Sequence, residues 1–327
     1  MPHRAANVVA VPLLDFVLGY DCNLACDYCT CVGGPPGRSL AGAAVLEALR
    51  QGRQDGFDAA SFTGGEPTIH PDLLPLVRAA RGLGFQEVKV HTNGLLLAHR
   101  PNAARLLDAG VTRVEVSVHT HLAPDYDRMV RRAGGHALMA RALINLLELG
   151  APLRADLIVT ASTQRNLEAG VRWLAGLGVR QVDLMLVSLT DANRARTASL
   201  PRLTEALPPL RAALAAARAL GVEGRALYVP RCLLGADHVH AWDPGSSRVR
   251  VVTPEATFDL SDSRLAGSVH VPACQGCVHR EVCPGVRPDY LARFGDGEIA
   301  VARAAQGAAQ QVASPPVQGG SGASGSS

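Results

Sequence analysis

Cys22, Cys26 and Cys29 stand close together near the start of the chain in a C-x3-C-x2-C run. Thiolates are the ligands of iron–sulfur clusters, and three of them leave one iron of a 4Fe–4S cluster without a protein ligand. An open iron must bind something else. The same run is compatible with a three-cysteine zinc site completed by a distant ligand, and with buried structural cysteines. A second set, Cys274, Cys277 and Cys283, follows C-x2-C-x5-C far downstream, with Cys232 upstream of it. Four thiolates close a cluster site completely, and zinc ribbons share this grammar.

The elements that must position these cysteines alternate. Short β-rich runs occur at Leu13–Leu18, Ala59–Thr63, Glu87–Thr92, Arg113–Val118, Leu153–Thr160 and Gln181–Ser188. Helical patterns lie between them, among them Ala41–Gln51, Leu73–Leu83, Ala103–Ala109, Ala137–Leu149 and Leu167–Leu177. Four of these close on a glycine (Gly84, Gly110, Gly150, Gly178), as helix C-caps do. Six βα units predict an α/β fold, a partial (βα)6 barrel or open sheet of parallel strands with helices outside. Functional residues of such sheets collect at the carboxyl ends of the strands. A long helix is expected over Leu203–Leu220, then a strand near Arg225–Val229 and a hairpin of Val249–Thr253 and Thr257–Leu260. The expected division is a core at 1–190, a small cysteine-rich α+β extension at 191–301 and a disordered Ala/Gln/Gly/Ser tail at 302–327.

Composition narrows the function classes. The 327 residues are 47% hydrophobic and 19% charged, a globular balance. A formal charge of +3 gives no reason to expect nucleic acid or an anionic membrane as partner. The apolar stretch Val8–Val17 is broken by Pro12 and Asp15, lacks a cleavage site and is too short to span a bilayer. Eight cysteines in a chain read as cytoplasmic point to metal or redox chemistry rather than a disulfide framework.

Three further segments sit at strand ends. Gly64-Gly65-Glu66-Pro67 follows the second strand; alone it is an ordinary Gly-Gly turn, but its carboxylate suits an ammonium. His91-Thr92-Asn93-Gly94 ends the third strand and Ser117-Val118-His119 the fourth. Together with Cys22-Asn23-Leu24-Ala25-Cys26-Asp27-Tyr28-Cys29, these segments resemble the radical S-adenosylmethionine (SAM) superfamily. The resemblance runs from about Leu13 to Ser188. It implies a SAM-binding 4Fe–4S cluster on Cys22, Cys26 and Cys29. It also implies SAM contacts at Tyr28 (backbone, adenine), at Gly64, Gly65 and Glu66 (methionine amino group), at Asn93, and at Ser117 (carboxylate or ribose). The glycine motif that many members carry on the fifth strand is not evident in Ala155–Thr160. His70, His99 and His121 are expected to be surface or structural. Cys31 is expected to sit unused, the alternative being hydrogen-atom donation to a substrate radical.

The downstream cysteines resemble the Twitch and SPASM extensions of that superfamily. SPASM continues to another cysteine four positions after Cys283, where this chain has Arg287. A Twitch-like auxiliary 4Fe–4S cluster is therefore implied, on Cys274, Cys277 and Cys283 with Cys232 as candidate fourth ligand. The implied activity is an oxidoreductase. It cleaves SAM reductively to a 5′-deoxyadenosyl radical that abstracts hydrogen from a peptide or specialised metabolite, the auxiliary cluster accepting the electron. A reducing donor such as flavodoxin or ferredoxin is the implied partner. With the core starting near Met1, no N-terminal peptide-recognition domain is expected. Sugar or aminocyclitol epimerases and dehydrogenases are the alternative, and a non-catalytic iron–sulfur electron carrier is another.

Overall fold

The computed structural model describes residues 11–31, 34–190, 193–242, 247–262 and 268–301. The expected tail at 302–327 lies outside the described residues.

Ten strands form one sheet. In chain order they are β1 (Leu13–Val17), β2 (Ala59–Thr63), β3 (Glu87–Thr92), β4 (Arg113–Ser117), β5 (Leu153–Val159), β6 (Gln181–Leu186), β7 (Glu223–Leu227), β8 (Ala241–Trp242), β9 (Val249–Val252) and β10 (Thr257–Asp259). The order across the sheet is β10-β9-β1-β2-β3-β4-β5-β6-β7-β8. Every pairing is parallel except β9 with β10, and the sheet does not close. Helices α1 (Gly42–Gln54), α2 (Leu73–Gly82) and α3 (Arg100–Asp108) follow β1, β2 and β3. Then α4 (Ala123–Val130) and α5 (Gly135–Glu148) follow β4, α6 (Leu167–Leu177) follows β5, α7 (Leu203–Ala219) follows β6, and α8 (Pro288–Phe294) follows the cysteine segment.

The six anticipated strands and five helices are all present, with ends displaced by a few residues. Gly84, Gly110, Gly150 and Gly178 all take positive φ where a helix ends, the left-handed turn that frees a helix terminus of a Cβ clash. Several features go beyond expectation: α4, α8 and the short β8 are additional elements, and the C-terminal hairpin runs beside the first strand, β9 pairing with β1 from Leu13↔Val249 to Phe16↔Val252.

Alternation along the strands sorts side chains between two faces. Phe16, Phe62, Val88, Val90, Val114 and Val116 are fully buried on the helix-covered face. The opposite, concave face is polar. The register places Asp15 beside Ser61, Ser61 beside Lys89, His91 beside Glu115, and Ser117 beside Asp156. At its amino end this face is closed by ion pairs. Arg154 donates to Asp183 at 2.7 Å and to Glu223 at 3.0 Å, and Arg225 donates to Asp183 at 2.8 Å.

Asp183, 3% exposed, is the shared counter-charge of two arginines. Removing one partner leaves buried charge uncompensated, a loss of about 3–5 kcal/mol. Asp183→Ala is expected to lower unfolding free energy by that amount in urea titration, and Glu223→Ala, at a half-exposed rim, by far less.

Candidate functional site

The cysteine loop is built on the ends of β1, β2 and β3. Beyond β2 the backbone goes on pairing with the chain leaving β1: Gly65 N–H donates to the Gly19 carbonyl at 2.8 Å and Glu66 N–H to the Asp21 carbonyl at 2.9 Å. This approach demands glycine twice. Gly64 has φ +120°, and a Cβ on it would lie 2.6 Å from the Gly19 oxygen; a Cβ on Gly65 would lie 2.1 Å from the Asp21 oxygen.

Glu66 is 3% exposed. Its Oε1 accepts from Thr68 N–H (3.0 Å), Thr68 Oγ1 (2.5 Å) and Thr92 Oγ1 (2.6 Å), and its Oε2 from Asn93 N–H (2.8 Å). A carboxylate offers about four lone-pair directions, so Oε1 is filled and Oε2 retains room for one further donor. Asn93 carries the network onward. Its Nδ2 donates to Asn23 Oδ1 at 2.7 Å and lies 3.9 Å from Cys22 Sγ, while its Oδ1 accepts from Leu95 N–H at 3.0 Å. The side chain of Asn93 is therefore occupied in orienting the cysteine loop.

The three thiols sit within electrostatic reach of one another. Burial, then the charges of Cys29 and Cys22, push the Cys26 thiol up to about 12. Burial also raises Cys22, Leu24 N–H opposing it and Glu66 and Cys29 adding to it. A bound cationic iron–sulfur group reverses this balance, since a coordinated thiol is deprotonated. Backbone donors already serve the sulfurs: Leu24 N–H lies 3.4 Å from Cys22 Sγ and Cys31 N–H 3.2 Å from Cys29 Sγ. Among the described residues no three Cys, His, Asp or Glu side chains close on a single-ion position.

Tyr28 is held at both ends. Its hydroxyl meets the His119 ring at 2.7 Å, and its carbonyl accepts from Asn193 Nδ2 at 2.7 Å. Asn193 is fully buried, bridges to the Ser188 carbonyl at 2.6 Å, and leaves Oδ1 without a partner among the described residues. His119 has φ +62°, uncommon for a residue with a side chain, and burial lowers it to about 3, so it is neutral.

Ser117, at the end of β4, contacts His91 Nε2 at 3.1 Å, and the same nitrogen lies 2.9 Å from Asp156 Oδ2. Burial works against the His91 imidazolium, but Asp156 first, then Glu115 and Asp15, outweigh it and raise His91 to about 9. Burial in turn raises the Asp156 carboxyl to about 6, the His91 charge and hydrogen bond opposing it. Of the other histidines, His70 is structural: its ring meets the Leu40 carbonyl at 3.1 Å and accepts from Asp72 N–H at 3.2 Å.

The downstream cysteines converge. Cys232, Cys274, Cys277 and Cys283 all line one cavity of about 270 Å³ of atom-free space, partly open to solvent, with His270, Arg280 and Ile299. Cys232 comes from the 3-10 segment Arg231–His240 after β7. Arg287 stands apart from them. It is 7% exposed, donates to the Leu186 and Val187 carbonyls at 3.2 and 2.6 Å beyond β6, and is paired with Asp289 at 2.9 Å. It straps the cysteine segment to the end of β6.

Sequence reasoning did not single out Asn23, Asp156 or Asn193. Asp156 had a signal: a charged residue alternating with apolar ones in a strand, in step with Asp15, His91 and Glu115 on neighbouring strands. Asn193 had none, for it acts across a tertiary contact.

Residues 16–164 match the sequence model of the Radical SAM superfamily. With the open parallel sheet and the cysteine loop at its carboxyl edge, this match places a radical SAM domain in that segment. Over 158 residues the chain is 35% identical to a probable GTP 3′,8-cyclase of Methanopyrus kandleri, covering 48% of this chain and 50% of that protein. A GTP 3′,8-cyclase of Alkaliphilus metalliredigens is 28% identical over 162 residues, 48% of each chain. The chain thus spans about half the length of these curated relatives. The structure of Streptococcus suis SuiB bound to S-adenosylmethionine superposes with a TM-score of 0.64 at 13% identity, covering 87% of this chain and 75% of that one. That likeness is one of fold.

Gly65→Ala drives a Cβ into the backbone beneath the cysteine loop. The variant is expected to keep its circular dichroism while binding less iron than the unchanged chain on anaerobic reconstitution. Gly82→Ala, whose new Cβ meets nothing within 4 Å beyond its own helix backbone and chain neighbours, is the control and should bind as much iron as the unchanged chain.

Proposed function

We propose that the chain is a radical SAM oxidoreductase acting on a peptide or specialised metabolite. One observation carries the reading: Glu66, Thr92, Asn93 and Asn23 form one hydrogen-bonded chain that ends at Cys22. A lone structural Gly-Gly turn has no need of that connection.

Cys22, Cys26 and Cys29 would hold a 4Fe–4S cluster, with SAM as its fourth ligand. When bound and reduced, this pair supplies a 5′-deoxyadenosyl radical able to abstract hydrogen from an unactivated C–H bond. The chain's own residues bind and orient. Glu66 Oε2 offers its remaining acceptor site to the SAM ammonium, a charge-assisted hydrogen bond of about 1.5–3 kcal/mol. The backbone at Gly64, Gly65 and Tyr28 lines the approach, and Ser117 faces the carboxylate or ribose. The orphaned Asn193 Oδ1 beside the Tyr28 carbonyl suits the adenine amino group.

Cys232, Cys274, Cys277 and Cys283 would hold a second 4Fe–4S cluster, since four thiols around one cavity leave no iron open. A closed site favours electron transfer over substrate binding, which supports a net oxidation. Flavodoxin or ferredoxin would supply the reducing electron. The relatives named GTP 3′,8-cyclase match over about half their length, so their substrate is not carried over.

Anaerobically reconstituted protein is expected to hold about eight irons and eight sulfides, and to form 5′-deoxyadenosine with SAM and dithionite. Changing Cys22, Cys26 and Cys29 together to Ala should abolish 5′-deoxyadenosine and leave about four irons. Turnover surviving the triple change contradicts the reading. An electron carrier would make no 5′-deoxyadenosine at all, and one zinc in place of four irons would remove the second cluster.

A further inference from the structure

The concave face of the sheet carries a charged pair, His91 and Asp156, whose histidine opens the His91–Gly94 segment but has no part in its contacts with Glu66 and Cys22. His91 and Asp156 lie on neighbouring sides of β4, one register row below the segments that hold the cysteine loop, and Nε2 of His91 is engaged by Asp156 at 2.9 Å and Ser117 at 3.1 Å. The other ring nitrogen, Nδ1, has no partner among the described residues. The His91 side chain is 29% exposed, against 8% for Asp156. Asp156 therefore holds the ring through Nε2 and leaves Nδ1 as the nitrogen that can meet a guest.

The groups facing His91 are Asp156 and Ser117, then Glu115 beside it in register, Lys89 two positions back on β3, Asp15 on β1, and the buried neutral His119 after β4, within reach of its charge. Burial raises the Asp15 carboxyl, opposed by its Ser61 hydrogen bond and by Lys89. From Asp15 through Ser61, Lys89, His91, Glu115 and Ser117 to Asp156 the face is polar or charged, and Val251 on β9, beside Asp15, marks its edge. A surface of this kind gains nothing from an apolar guest, because its charged donors and acceptors would lose water without replacement. An oxygen-rich guest replaces that water.

We propose that His91, oriented by Asp156, is the substrate-positioning donor of this chain, and that its substrate is a polar molecule presenting a hydroxyl, carbonyl or carboxylate oxygen to Nδ1. Asp156, 2.9 Å from Nε2, favours the imidazolium form and outweighs the burial that opposes it. The donor is thus charged, and its hydrogen bond falls in the stronger class. The inference rests on the radical SAM reading and names the substrate class of that site.

Glycerol serves as the hydroxyl probe. Reduced holoenzyme with SAM is titrated with perdeuterated glycerol, and deuterium couplings to the cluster are read by electron–nuclear double resonance. Wild type should show a saturable signal. His91→Gln, which loses the charge, should raise the half-saturating glycerol concentration by about 10–100-fold, and His91→Lys should recover part of it. His91→Gln/Asp156→Asn, which leaves no unpaired buried carboxylate, should match His91→Gln, so that misfolding is not the cause. SAM affinity should stay the same in all of them. Half-saturation unchanged by His91→Gln, or no signal at any glycerol concentration, overturns the proposal. So does a loss of SAM affinity with glycerol unaffected, which would assign His91 to the SAM carboxylate. A cluster signal that does not respond to SAM contradicts the radical SAM reading itself and overturns this inference with it.

Discussion

Everything at the carboxyl edge of the sheet depends on one buried carboxylate. Glu66 is almost wholly out of water, and a charged group there is tolerable only if its lone pairs are filled. Two threonine hydroxyls and two backbone amides, drawn from its own turn and from the end of β3, fill all but one of them. The geometry that satisfies Glu66 is also the one that brings Asn93 to Asn23 and Cys22. Stability and site geometry share the same bonds, so the cysteine loop is fixed before any cofactor arrives.

The two faces of the sheet divide the work. One is apolar and sealed by helices. The other is charged, closed by the Arg154–Asp183–Arg225 network at its amino end and left accessible near His91. The C-terminal segment is joined to this frame at both sides. Its hairpin extends the sheet beyond β1, and Arg287 caps the carbonyls beyond β6. Those attachments carry Cys274, Cys277 and Cys283 to Cys232, which reaches the same cavity from the segment after β7.

The local features were readable and the distant ones were not. β2 and β3 have the bounds that their β-branched and aromatic runs predict, because such runs suit a pleated, half-buried surface. α4 escaped notice because eight residues are too few to show a helical period, although Tyr126, Met129 and Val130 have the right spacing. The pairing of β9 with β1 leaves no trace in either segment, since it joins residues at opposite ends of the chain. The motif residues were found by their type and order, but the partners of Glu66 and Asn93 emerged only in three dimensions. Arg287 was visible only as a missing cysteine, and its burial against β6 explains why a cation stands there.

The central claim is that SAM binds the cluster held by Cys22, Cys26 and Cys29. Its most direct test is the electron paramagnetic resonance spectrum of dithionite-reduced protein, recorded before and after addition of SAM. The account predicts two overlapping signals from two reduced clusters. SAM should change the g-values of one and leave the other, held by four cysteines, as it was. A spectrum that SAM does not alter would contradict it.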